Sequence, residues 1–479
     1  MVKRGVFKMA LVSLIVFVLL VTTGCATKGG TTEAKNAYKP VKLEYWSVWN
    51  DEADVTLLIN AYRKVHPNVT INYKKFRYEE YERALLEAMA EDRGPDVFSI
   101  HNTWMRKYKT RLLPAPTSVS LPYKYMSGSI KPEEIVELRP TTIVSASSVG
   151  KTFLDVVAPD VVMPYNTAPT TTGTKPVYEN KVFGLPLSVD TLVLYYNKDL
   201  LNNAGIISAP ADWTEFQNQV KKITKIDKET GDIILSGAAV GAADNVVRST
   251  DILALLMMQN LAPMLDETGN ASFDKIPRGY PEITIPPGLG ALEFYTQFSS
   301  PLYEGYCWNN KMPNSLEAFI KGKTAFFFGY AYNRAEIVSK APKLNFSIAP
   351  VPQVSEAQKV NYANYWVESV SNKTKVKDYA WDFVNFITQE ANVEKYLDQS
   401  KKPTALRSTK LINKQLASPA TEVFADQLLT AKSWYKGMNP EAAEQAFKEM
   451  INVVLDSSLD TQKALKQGVA KVDQSIYSK

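Results

Sequence analysis

Val41-Lys-Leu-Glu-Tyr-Trp46 alternates apolar and polar residues, the period-2 pattern of a strand with one buried face. Outward from it, Val55, Leu58, Ile59, Tyr62 and Val65 recur at helical spacing, and Pro67 lies just beyond, predicting a helix over about residues 53–66. Residues 69–76 read as a second strand and 79–90 as a second helix, ended near Gly94-Pro95. Asp96-Val-Phe-Ser-Ile100 is a short apolar strand. Strand, helix, strand, helix, strand is the pattern of an α/β domain with a mainly parallel sheet.

Residues 114–182 carry many Pro, Thr, Ser and Tyr. They read as surface excursions with weak helical pieces near 132–138 and 151–157. Residues 182–197 are strand-like. Asp212-Trp-Thr-Glu215 has capping-box spacing, so Asp212 caps a helix and Glu215 reaches back. Trp213, Phe216, Val220 and Ile223 form its apolar face. Helices are expected near 251–261, 290–299 and 376–390, strands near 325–328 and 346–350, and a mostly helical stretch over 418–477. No internal repeat is evident.

On the amino-terminal side, Lys3, Arg4 and Lys8 precede an apolar run from Met9 to Val21, then Thr22-Thr-Gly-Cys25. A basic start, an apolar run and a small-residue end describe an export signal. The run is short for a bilayer-spanning helix, which needs roughly 20 residues. Residues 26–40 are small, polar and non-periodic, and read as a flexible tether.

The chain has 479 residues, which allows two or three domains at about 150 each. Its 55 basic and 50 acidic residues give +5; three of the basic ones lie in the leader, leaving 52 against 50, or +2. No basic arm or block argues for nucleic acid. With Cys25 in the leader junction, Cys307 has no partner and reads as a buried, inert thiol.

Several segments, in order, resemble the family 1 bacterial extracellular solute-binding proteins, the sugar-type receptors of ABC importers. They are Leu43-Glu-Tyr-Trp-Ser-Val-Trp49 with His66-Pro-Asn-Val; Arg93-Gly-Pro-Asp-Val-Phe98; Val182-Phe-Gly-Leu-Pro-Leu-Ser-Val-Asp-Thr191 with Leu194-Tyr-Tyr-Asn-Lys-Asp-Leu-Leu201; Asp212-Trp-Thr-Glu-Phe216; Phe319-Ile-Lys-Gly-Lys-Thr-Ala325 with Gly329; and Ala349-Pro-Val-Pro352 with Lys402-Pro403. The Gly24-Cys25 junction resembles the lipobox of bacterial lipoproteins, in which signal cleavage leaves a diacylated cysteine first; Thr22 departs from its usual aliphatic. The resemblance implies two α/β lobes of the type II periplasmic-binding-protein kind, joined by hinge strands, with ligand between them. It puts the signal peptide at 1–24, the tether at 25–40, one lobe at 41–187 plus 366–405, and the other at 188–365 plus 406–479.

A sugar offers hydroxyls and a patch of C–H bonds, so its receptor needs carboxylates and amides together with aromatic faces. In open α/β sheets ligands bind beyond the carboxyl ends of strands. Trp46, Trp49 and Asp51 follow the first strand, and His101, Asn102 and Trp104 follow the third. Trp46 reads equally as core packing, Asp51 as a helix cap, Trp104 as lobe-surface packing and His101 as structural. By the resemblance, Asp190 occupies the family's acidic slot before the hinge. Tyr330 and Tyr332 flank Ala331, where the family commonly carries a stacking tryptophan. Trp366 stands where the family is glycine-rich, and Arg407 follows Lys402-Pro403.

Other chemistries lack their residues. Gly150-Lys-Thr152 and Gly322-Lys-Thr324 have Ser145 and Glu317 where a P-loop needs glycine. Two histidines cannot build a multi-histidine zinc site, and no H-E-x-x-H or G-x-S-x-G occurs. Asp227-Lys-Glu-Thr-Gly-Asp232 misplaces the glycine of a calcium loop and reads as a solvated turn. The expectation is a non-catalytic, monomeric receptor without cofactor or metal. It would be lipid-anchored at Cys25 on the outer face of the cytoplasmic membrane and would deliver a mono- or oligosaccharide to an ABC permease. The alternative is an adaptor that signals through a membrane receptor.

Overall fold

The computed structural model describes residues 30–168 and 174–478; Cys25 and the leader lie outside them. Two compact units are present. The smaller comprises residues 30–39 and Pro122–Arg139. Here the expected tether differs: Thr32–Ala37 is a helix, capped by the Thr31 side chain, with Ala34 fully buried. The expected helical piece at 132–138 belongs instead to the strand Glu133–Thr142, which pairs with Ser118–Ser127.

The larger unit holds two principal sheets. The first orders its strands Trp366–Val370, Val97–His101, Val41–Ser47 and Val69–Lys75. Val41–Ser47 is parallel to both neighbours, as the βαβ pattern requires, and Trp366–Val370 closes the edge antiparallel to Val97–His101. Alternation decides the faces: Leu43, Tyr45 and Ser47 are buried while Lys42 is exposed. The helix Glu52–Val65 buries Val55, Leu58, Ile59 and Tyr62. Withdrawing the three aliphatics contributes about 1.5–3 kcal/mol each.

The second sheet orders Lys225–Ile226, Ile233–Ala238, Thr324–Gly329, Val193–Asn197 and Phe346–Ala349. Its core packs Phe216, Val220, Leu253, Leu292, Phe326 and Phe328. In the helix Trp213–Ile223, Asp212 accepts from the Glu215 N–H at 2.8 Å. Glu215 reaches one residue further back than expected, to the Ala211 N–H at 2.9 Å. Cys307 is buried there, its Sγ donating to the Ala238 carbonyl at 3.2 Å, and burial pushes the thiol up to about 12.

A short third sheet joins the two. Asn361–Asn364 pairs with Asp190–Thr191 and with Ala431–Lys432. One residue after Asn364 the chain enters the first sheet at Trp366, and one residue after Thr191 it enters the second at Val193. Further bridges, Leu185 to Glu368 and Ser188 to Thr404, tie these crossings together. At these crossings Asp190, Asn364 and Trp366 line a cavity.

Candidate ligand cleft

The first strand ends at Ser47, and the turn to the next helix carries Trp49 and Asn50. Asn50 is buried because three segments bond it. Its amide donates to Glu368 Oε1 (3.3 Å) and Ser47 Oγ (3.2 Å), and its Oδ1 accepts from Tyr396 (2.6 Å) and Lys402 Nζ (2.9 Å). Lys402 also donates to the Trp49 carbonyl at 2.8 Å. Glu368 Oε2 accepts from Ser99 at 2.7 Å. Burial pushes Glu368 up to about 7 and pulls Lys402 down to about 8, the latter opposed by Asp54, Asp51, Asp190 and Glu368.

Asp190 stands in the hinge. Its oxygens accept from the Ala331 and Thr191 backbone N–H groups, each at 2.9 Å, and burial still pushes it up to about 7. Trp49 and Tyr332 face each other with ring centroids 4.9 Å apart and planes inclined by 22°. Tyr78 extends the stack behind Trp49 at 6.1 Å, and Tyr330 behind Tyr332 at 5.7 Å. Trp366 is set edge-on to His101 and Trp104.

These groups line two adjoining cavities. The wider, of about 590 Å³, is bounded by Trp49, Asp51, Asp54, Lys75, Tyr332, Arg334, Lys402 and Phe424. The inner, of about 60 Å³, is bounded by Trp49, Asn50, Asp190, Tyr332, Trp366, Glu368 and Lys402. Carboxylates, an amide and an ammonium beside aromatic faces make a surface suited to a hydroxyl-rich ligand.

Of the sequence candidates, Trp49, Asp51, Asp190, Tyr332 and Trp366 come together here. Asp51 is exposed and ion-paired with Lys75. The other four are placed elsewhere. Asn102 is buried and donates to Asp160 at 3.1 Å. Trp104, 6% exposed, stacks on Tyr108 behind Trp366. Tyr330 is fully buried and donates to Asp251 at 2.6 Å, with Arg248 holding that carboxylate through two bonds of 2.7 Å. Arg407 pairs with Asp155 beside a separate groove that includes Lys151 and Asn385. Trp46 packs on Phe76. His101 bonds Thr103 and Asn364, and burial pulls it down to about 4.

Sequence reasoning passed over Glu368 and Lys402, and left Asn50, at the end of the first strand, without a role. Glu368 carried a usable signal: it lies two residues from Trp366 on one strand, and so on the same face. Lys402 sits in the quoted Lys402-Pro403 pair, but its neighbours come from distant segments.

A model of bacterial extracellular solute-binding proteins matches residues 58–421. A Brucella abortus protein described as a binding protein is 24% identical over 216 residues, 45% of this chain and 48% of that one. The maltodextrin-binding protein MdxE of Bacillus subtilis is 26% identical over 240 residues, 47% of this chain and 51% of that one. The chain thus spans about half the length of the curated relatives it matches. An ABC transporter solute-binding protein from Thermotoga lettingae, solved with α-D-tagatose, superposes with a TM-score of 0.63 at 17% identity, over 91% of this chain and 99% of that one. At that identity the likeness shows the shared two-lobe fold.

Proposed function

The chain belongs to the bacterial extracellular solute-binding proteins, and on that premise we propose that it captures a mono- or oligosaccharide in its cleft and delivers it to the permease of an ABC importer. The observation that carries this reading is the pairing of Trp49 and Tyr332, from opposite sides of the cleft, above the polar floor of Asn50, Asp190, Glu368 and Lys402. In this reading the two rings part to admit a sugar between them, each covering a C–H face, while Asp190, Glu368 and Lys402 bond its hydroxyls. Maltodextrin and tagatose in the names of similar proteins point the same way. The family is one of binding proteins, and the receptor works without catalysis.

In this reading the lobes are residues 41–187 plus 366–405, apart from Pro122–Arg139 of the smaller unit, and 188–365 plus 406–479. The distribution of strands between the two sheets supports that division, as does the packing of the helices Pro440–Leu455 and Thr461–Tyr477 against Ser249–Gln259 and Pro287–Gln297. Ligand would favour closure through contacts made by both lobes at once. The receptor works outside the cytoplasm as a monomer, held by a diacylated Cys25; among the described residues no helix is long and apolar enough to cross a membrane.

A thermal-shift screen against a carbohydrate panel tests the function. A ligand at 100 times its Kd stabilises by about 2.7 kcal/mol. A panel of sugars that leaves the melting temperature unmoved, beside an amino acid or peptide that raises it, would refute the sugar reading.

A further inference from the structure

The smaller unit is held together by specific contacts. The amino-terminal segment is locked to the paired strands Ser118–Ser127 and Glu133–Thr142. Gly30 bridges Val136, with φ of +90°. A Cβ at this position would collide with the Val136 carbonyl, so only glycine fits. Ala34 is fully buried, and Lys124 lies over the Tyr38 ring at 5.7 Å. Arg139 stiffens the hairpin by lying over Tyr125 (4.7 Å) and Tyr123 (5.3 Å). At the far end, Met126 is 61% exposed and Ile130, in the turn, 92% exposed.

We propose that this hairpin tip rests in the lipid interface of the membrane that carries Cys25, giving the protein a second membrane contact. The proposal rests on the lipid-anchor reading above. Its geometric basis is the direction of the bridge. Gly30 and Val136 pair in parallel. The strand from Glu133 runs away from the tip, so at Gly30 the described chain has its amino end toward the tip. Five residue steps lead from Cys25 to Gly30, a reach of at most about 17 Å. From Val136 back to Glu133 is about 10 Å. A link that short lets an acylated Cys25 and Ile130 reach one surface.

The contact is mainly apolar. Lys131 suits an anionic headgroup, but exposed Glu133 offsets it, and Lys124 is taken by Glu134 at 2.5 Å.

The test uses the full-length, membrane-processed protein with Ile130→Cys, labelled with a polarity-sensitive fluorophore. It is reconstituted into vesicles of phosphatidylcholine and phosphatidylglycerol. Cys307 is buried and the Cys25 thiol is blocked by its lipid, so the new thiol takes the label. Leu302→Cys, at a position 98% exposed in the larger unit, is the reference. The expected result is a blue shift at 130 and quenching by headgroup-region spin-labelled lipid, with neither at 302. A water-like, unquenched probe at 130 on lipidated, vesicle-bound protein would overturn the proposal, and would leave the permease as the surface the tip meets. Intact mass separates the two failures: an unmodified Cys25 overturns the anchoring reading and this proposal with it.

Discussion

Asp160 and Glu368 are both buried carboxylates, each gathered into a network of side chains from distant segments, but only Glu368 borders the cleft. Asp160 accepts from Asn102, Tyr365, Ser433 (2.9 Å) and Lys436, four donors for one carboxylate. Burial, with Arg106 nearby, pulls Lys436 down to about 7. Glu368 accepts from Ser99 and Asn50 and borders a cavity whose other walls are aromatic. The difference teaches that burial and a dense set of polar partners do not by themselves mark a ligand site. An adjoining cavity with lone pairs to spare does. The Asp160 cluster joins the helix Val157–Val161 to the chain beyond Ala431–Lys432, and so holds the fold around the hinge.

Breaking each network separates these roles. Asp160→Ala strands Lys436 without its partner and should cost about 3–5 kcal/mol in urea unfolding. Its effect on the Kd for sugar should be smaller than that of the aromatic variant below. A normal unfolding midpoint would show that the cluster contributes little.

Glu368→Ala should cost less stability, about 1–3 kcal/mol, because two donors lose one acceptor. It should also weaken binding about tenfold, since Asn50 and Lys402 lose their setting. Unchanged calorimetric affinity would move the floor of the site elsewhere.

Trp49→Ala sharpens the contrast from the other side. Trp49 is 38% exposed, so stability should hold within about 0.5 kcal/mol while Kd rises about thirtyfold. Melting curves and calorimetry on the same preparation check both halves.

The smallest effect is one of pH. Asp190 is raised from 3.8 to about 7. Between about pH 4 and 7 the native carboxyl holds a proton that the unfolded one has lost, so this group's contribution to stability falls as pH rises through that window. Binding should move oppositely. The ionised carboxylate is the stronger acceptor, so affinity should rise as pH passes 7. Asp190→Asn should reduce both trends and leave the share of Glu368, also raised to about 7, which scanning calorimetry and titrations at pH 6 and 8 would detect.

Local pattern made the frame legible. Alternation at Val41–Ser47 and helical spacing at Val55, Leu58, Ile59 and Tyr62 report burial directly, and each recurs in the structure. Strand-end position brought Trp49 and Asp51 to the cleft but could not say which way Asn102 points; it turns inward to Asp160. Glu368 and Lys402 owe their roles to the return of the chain at Trp366–Val370 and to the bridge at Thr404, contacts more than 250 residues from the first sheet's other strands. Residues 133–142 carry a helix-like run, Glu-Glu-Ile-Val-Glu-Leu, that pairing with Ser118–Ser127 overrides.

A crystal structure with the best carbohydrate from the thermal-shift panel tests the central claim most directly. The account predicts a sugar ring against Trp49 or Tyr332, with its hydroxyls on Asp190, Glu368 or Lys402. A sugar seated in the groove beside Arg407, or on the far side of the hinge beside Met258 and Trp434, would contradict it.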